Sequence, residues 1–173
     1  RKRTRETAVI WWRQIMSAPR SAALRRLLAS PSPIVLGGAH DALTARLVQE
    51  AGFEGVWASG FEISASHAVP DASILTMSEM LEASQRMADA VAIPVVADCD
   101  TGFGNAINAI RTVTAFERAG VAGICVEDNV FPKRCSFYPG VKRALTDVDE
   151  QALKIRAAIG ARVTPEFVVI ALA

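Results

Sequence analysis

The chain has 173 residues, 51% of them apolar, and a formal net charge of +1. That length and composition can bury one substantial core and point to a single domain. No apolar run approaches the roughly 18 residues of a membrane span and no signal-peptide pattern is present, so no membrane partner is expected.

The charge is unevenly spread. Residues 1–26 hold eight Arg or Lys against Glu6 alone, leaving eleven basic and seventeen acidic residues elsewhere. A basic arm has the composition of a nucleic-acid-binding or targeting segment. However, Met16 followed by "SAPRSAALRRLL" reads as a start. Residues 1–15 are therefore expected to be an upstream extension within a basic leader over 1–18, helical or disordered. The folded domain is expected over 19–173, with no nucleic-acid partner. Cys99, Cys125 and Cys135 are odd in number and lack framework spacing, which suits a reducing, cytoplasmic setting.

In chain order, a helix near 20–29 leads to a strand near 33–37. A helix near 41–51 follows, with Asp41 as its cap and Leu43, Leu47, Val48 and Ala51 as its apolar stripe. Next come a strand near 55–58, a helix near 76–91 and a strand near 94–98. A helix near 105–119 starts at Asn105, and strand 123–127, helix 148–159 and strand 167–171 complete the series. The segments "EAGFEGVWA" (50–58) and "RAGVAGICV" (118–126) support this scheme. Each fits a helix ended by Gly, a short connection and a buried strand. They lie 68 positions apart, room for two βα units of about 34 residues. Such alternation implies a parallel sheet, either a barrel or a doubly wound layer.

Both architectures place chemistry at the carboxyl ends of strands. His40, Ser59, Asp98, Asp100, Glu127 and Asp128 all fall there. In "VVADCDTGFGN" (95–105), Asp98 and Asp100 bracket Cys99, so an extended chain points both acids to one side. Three carboxylates on neighbouring strand ends repel unless a cation joins them, and they suit Mg²⁺. The competing reading, that Asp98 or Asp100 caps the next helix or orders the "TGFG" turn, has Asn105 as a better cap candidate.

The segments "WASGF", "SASHAVPDASILTMSE", "ADCDTGFGNA", "EDNVFPKRCS" and "ALTDVDEQALKIRAA" together resemble the phosphoenolpyruvate mutase and isocitrate lyase superfamily, collinearly from about Ala22 to Ala171. The resemblance is greatest to the phosphoenolpyruvate mutases and phosphonopyruvate hydrolases. It implies a (β/α)₈ TIM barrel, of which about five strands are recognised here, and a Mg²⁺ cofactor, with Mn²⁺ as substitute. Substrates would be small α-keto or enol acids, and the assembly a homo-oligomer.

Carried over by position, Asp98 would be the direct metal ligand, with Asp100 and Glu127 holding metal-bound waters. Ser59 and the backbone N–H groups of Gly60 and Phe61 would grip the pyruvyl carboxylate and oxygen. Asp71 would stand beside the migrating phosphoryl group as a nucleophile, or as support for a metaphosphate-like species. Asn129 to Lys142 would form a loop closing over the substrate, excluding water. On it, Lys133 would supply charge to the phosphate, although a lone loop lysine is more often solvated, and Ser136 would contact substrate. His40 is expected to support the site, Trp57 to pack beside it and His67 to be an exposed loop residue. Cys99 and Cys125 are expected in the core, with no role for Trp11 or Trp12.

The chain departs from these relatives at Lys133-Arg134-Cys135-Ser136. Mutases carry Lys-x-Asn-Ser. The C–C lyases carry Lys-Lys/Arg-Cys-Gly-His, whose cysteine takes part in proton transfer. Cys135 points to a lyase, while Ser136-Phe137 lacks the Gly-His, and Lys133 and Arg134 are expected to lower the Cys135 pKa. The resemblance also implies an arginine after "VIA", where this chain has Leu172. The expected activity is Mg²⁺-dependent interconversion of phosphoenolpyruvate and phosphonopyruvate, the step that opens phosphonate biosynthesis. The alternatives are phosphonopyruvate hydrolysis, isocitrate-lyase-type C–C cleavage, and an inactive fragment whose fifth strand leaves an open edge.

Overall fold

The computed structural model describes residues 20–172; the expected leader over 1–18, with Trp11 and Trp12, lies outside the described residues. The elements run α1 (Arg20–Leu28), β1 (Leu36–Ala39), α2 (Ala42–Glu50), β2 (Gly55–Ala58), α3 (Gly60–Ser66) and α4 (Met77–Ala90). They continue with β3 (Val95–Asp98), α5 (Ala106–Arg118), β4 (Gly123–Glu127), α6 (Val148–Gly160) and β5 (Val168–Leu172). All neighbouring strands pair in parallel, and their spatial order is their sequence order. A doubly wound sheet reverses direction at a switch point. Unbroken consecutive order is that of a barrel wall.

Local chemistry explains where the helices start. Asp41, Thr76 and Asn105 each cap a helix and form a reciprocal box with Thr44, Glu79 and Asn108. Asp147 accepts from the N–H groups of Asp149 and Glu150 at the head of α6. Each such cap satisfies donors that the first turn leaves unpaired.

Three expectations change. Strand β1 occupies Leu36–Ala39 rather than 33–37, because its ladder with β2 opens at Leu36 opposite Gly55. The stripe on α2 is rotated: Leu43 and Leu47 are 66% and 56% exposed, while Ala45 is buried and Val48 packs on the core. Gly37 sets this phase, since a Cβ there would lie 2.6 Å from Val48 Cγ1. The helix therefore approaches the strand through its smaller face. Finally, α3 was not expected; Ser59 starts it by accepting from Glu62 N at 3.2 Å.

Alternation along the strands then decides what faces where. Val56, Ala58, Val95, Ala97, Ile124, Val126 and Val169 join the large cluster shared with the helices. The opposite parity puts Trp57, Val96, Val168 and Ile170 in a second cluster with Leu24 and Ala122. Side chains two apart share a face. Ser59, Asp98, Cys125 and Glu127 therefore continue the second face at the carboxyl ends of β2, β3 and β4. Among the described residues, no helix is long and apolar enough to cross a membrane.

Candidate active site

Strand β3 ends at Asp98, and its ladder with β4 extends one step through Cys99 N to Cys125 O at 3.0 Å. Asp100 then adopts φ +48°, a left-handed conformation uncommon outside glycine. Its N–H donates to Asp98 Oδ1 at 3.1 Å. The two acids are therefore joined by a tight turn, not aligned on an extended strand as expected. Glu127 closes the group from β4, its N–H donating to Asp100 O at 2.7 Å. Asn129 Nδ2 donates to the Glu127 carboxylate, and Gln151 Nε2 to its carbonyl at 3.2 Å.

Sequence reasoning missed Lys154, which supports this turn from α6. Its buried ammonium donates to Thr101 O at 3.0 Å, and its stem packs 3.5 Å from where a Gly102 Cβ would sit. Burial lowers its pKa. Only its position on the inner face of α6 hinted at such a part.

Lys133 is buried at 5% exposure, not solvated. Its Nζ lies 2.9 Å from Asp100 Oδ1, 3.2 Å from Asp71 Oδ2, 3.5 Å from Glu127 Oε1 and 3.6 Å from Asp98 Oδ2. Burial alone would lower its pKa, but Asp98, Asp100 and Glu127 together raise it, so the ammonium stays charged. Asp98 is pushed up to about 6, mainly by burial; Lys133 opposes the rise and Asp100 adds to it. Four carboxylates around one ammonium leave an excess of negative charge in a dry pocket.

That donor set is chemically suited to Mg²⁺, a hard cation bound through a few carboxylates and several waters. Among the described residues, no three His, Cys, Asp or Glu side chains are arranged to hold a metal ion by themselves. A metal there needs water to complete its shell. Gly60 leaves the space: a Cβ would lie 3.0 Å from Asp98 Oδ2, and its N–H donates to that oxygen at 3.3 Å.

The acids open onto a cleft of about 200 Å³ lined also by Trp57, Ser59, Phe61, Ser136 and Phe137. Every expected site residue touches this cleft or its acidic floor except His40, which lies by Asp41 (3.9 Å) and Glu62 (4.0 Å). Gly60 abuts the floor through Asp98, and Asp100 through Lys133. His67 ends α3 at the surface and Trp57 borders the cleft as well as packing in the second cluster. Leu172, opposite Glu127 in the register, keeps an exposed aliphatic side chain.

Cys135 corrects an expectation. Its pKa is raised, first by burial and further by the negative charge of Asp71, against a lowering contribution from the Phe137 backbone. Lys133 pulls the other way but does not win, because its charge is already shared among the carboxylates. Burial likewise pushes Cys125 up to about 12, and raises Cys99. All three are free thiols.

The model of the phosphoenolpyruvate phosphomutase family matches residues 24–172. The chain is 44% identical over 152 residues to 2,3-dimethylmalate lyase of Eubacterium barkeri, covering 87% of this chain and 52% of that protein. A phosphoenolpyruvate phosphomutase structure from Streptomyces platensis subsp. rosaceus superposes with TM-score 0.85 at 50% identity, covering 87% of this chain and 52% of that one. A phosphonopyruvate hydrolase structure, in complex with oxalate and Mg²⁺, gives TM-score 0.81 at 45% identity, covering 89% and 52%. The chain thus spans about half the length of the relatives it matches.

Proposed function

Because the chain belongs to the phosphoenolpyruvate phosphomutase family, we propose that it serves Mg²⁺-dependent interconversion of phosphoenolpyruvate and phosphonopyruvate. The observation that carries this reading is Asp71: a carboxylate at 3% exposure, 3.2 Å from Lys133 Nζ, bordering the same cleft as Asp98. A buried acid facing a buried ammonium is suited to handling a phosphoryl group in a water-poor space. What Mg²⁺ supplies when held through Asp98, with Asp100 and Glu127 on its waters, is positive charge against the enolate oxygen.

In the direction from phosphonopyruvate, the carbon–phosphorus bond breaks and its electron pair passes into the pyruvate enolate. Asp71 holds the phosphoryl group in transit, as nucleophile or as the carboxylate facing a metaphosphate-like species. The enolate oxygen then takes the phosphorus, and Asp71 is released unchanged. Lys133 neutralises phosphoryl charge as the group moves. Ser59 Oγ and Phe61 N–H orient the pyruvyl carboxylate. Gly60 N–H, spoken for by Asp98 Oδ2, acts on the metal ligand instead. Ser136 closes the outer side from the loop.

Phosphorus NMR on the protein with Mg²⁺ and phosphonopyruvate tests the reading. Phosphoenolpyruvate without inorganic phosphate is the expected product, and Asp71→Ala should abolish it. Inorganic phosphate with pyruvate would replace the mutase reading by hydrolysis.

Cys135 favours a second reading, C–C cleavage of a 2-hydroxy di- or tricarboxylate. A thiol with a raised pKa, lining the same cleft as Asp71, is a proton donor suited to an enolate leaving group. Under that reading phosphonopyruvate stays inert and Cys135→Ala loses all lyase turnover.

A further inference from the structure

The loop that carries Lys133 is tied to the segment that carries Asp71. Lys133 N donates to Ser73 Oγ at 3.1 Å, and Ser73 Oγ donates to Asp100 Oδ2 at 3.2 Å. Cys135 and Asp71 line the same cleft, and the Phe137 ring meets Phe61 at 5.6 Å between centroids. One further tie is of a different kind. Tyr138, the only tyrosine of the chain, accepts from the backbone N–H of Asp71 at 2.9 Å across 67 residues. Tyr138 is not among the residues lining the cleft; its hydroxyl meets Asp71 at the main chain.

We propose that Tyr138 is a positioning residue: its hydroxyl latches the loop over the cleft and fixes where Asp71 stands. The inference rests on the reading of Asp71 as the group beside the transferred phosphoryl. The Phe137–Phe61 contact lines the cleft that substrate would enter, and the Ser73 tie runs on to Asp100 on its acidic floor. The Tyr138 bond engages only a main-chain N–H of Asp71 and leaves both carboxylate oxygens to the cleft. Asp71 follows Pro70, whose ring limits the backbone before it. A single acceptor on the following N–H therefore sets the carboxylate's direction. Because the same residue lies three positions after Cys135 and five after Lys133, loop closure and delivery of Asp71 become one event.

The test removes one atom. Tyr138→Phe keeps the ring and deletes the acceptor. Thiol alkylation by iodoacetamide, mapped by mass spectrometry, reads the latch without any turnover. Cys135 is a buried residue of this loop, whereas Cys125 is buried in β4 and Cys99 just past the end of β3. The expected result is at least tenfold faster modification of Cys135, with Cys99 and Cys125 still protected. An unchanged Cys135 rate overturns the latch. Reaction at all three cysteines would show that the hydroxyl holds the fold, not the loop, and would overturn it equally. For positioning, Tyr138→Phe should lower kcat at least tenfold with KM moving less than threefold. An unchanged kcat would refute action through Asp71. If the parent protein converts none of the proposed substrates, the proposed reaction falls, and the alkylation comparison still decides the latch.

Discussion

At Lys133 a single ammonium stands where four carboxylates converge. Each contact at this range is worth roughly 4 kcal/mol at an effective dielectric near 20, and desolvation offsets much of that. Removing one partner is the costly change, because the remaining charges stay buried and repel. Lys133→Met should therefore destabilise the protein by about 3–5 kcal/mol in chelator. Millimolar Mg²⁺ should recover part of the loss, since a cation that binds only the folded form stabilises it. Urea unfolding with and without Mg²⁺ measures both terms; equal losses in the two conditions would separate Lys133 from any metal role. Asp98 yields a pH prediction of definite sign. Burial lifts its folded-state pKa to about 6, above the unfolded value near 3.9. The folded form thus holds the extra proton. Its contribution is fully present below about pH 4 and is lost as pH rises through 6, a change of about 3 kcal/mol. In chelator, Asp98→Asn should remove that fall between pH 4 and 7. A fall of the same size in the variant would assign it to another group.

At the scale of elements, the turn from β2 into α3 sets the position of Asp98. Gly60 Cα and N–H lie against Asp98 Oδ2, and a Cβ would reach 3.0 Å from it. Alanine is a good residue for a first helical turn, so Gly60→Ala should keep the unfolding midpoint within a few degrees. Its methyl would still displace the carboxylate. Titration with Mn²⁺ should show at least tenfold weaker binding, and unchanged affinity would mean that Asp98 does not touch the ion. The opposite junctions, from helix into strand, were readable in advance where glycine ended a helix and a buried strand followed, as at Gly52 and Gly120, whereas the helix after β2 was not. What could not be read was phase and reach. The α2 stripe has the right period, yet Gly37 admits Val48 and turns Leu43 and Leu47 outward. The burial of Lys133 depends on acids 6 to 62 positions away, which no local pattern carries. The direction of the Cys135 shift failed for the same reason: nearby cations count for little once distant carboxylates neutralise them.

Across the whole molecule, the two ends of the strand arc carry different burdens. The carboxyl ends hold the acids, and the amino ends are closed by α1. Arg20 donates to Gly120 O (3.3 Å) and Val91 O (3.0 Å), while Arg25 donates to Glu166 O (3.1 Å) and Phe167 O (3.4 Å). Those four carbonyls lie just ahead of β3, β4 and β5. Between the two arginines Leu24, at 1% exposure, packs with Val96, Ala122 and Val168, in a hole kept open by Gly123. Barrel folds divide labour in this way, with chemistry at one face and stability at the other. Leu24→Ala removes buried methyl groups where the backbone of three strands limits collapse, so it should cost about 2–5 kcal/mol. Because the cavity opens at the far end of β3 from Asp98, the folded variant should bind Mn²⁺ within twofold of the parent. Gly60→Ala should do the reverse, sparing stability while weakening the metal site. Urea unfolding and Mn²⁺ titration of both variants test the division together. A Leu24→Ala protein that keeps its stability, or loses metal affinity while folded, would mean that the two ends are not independent.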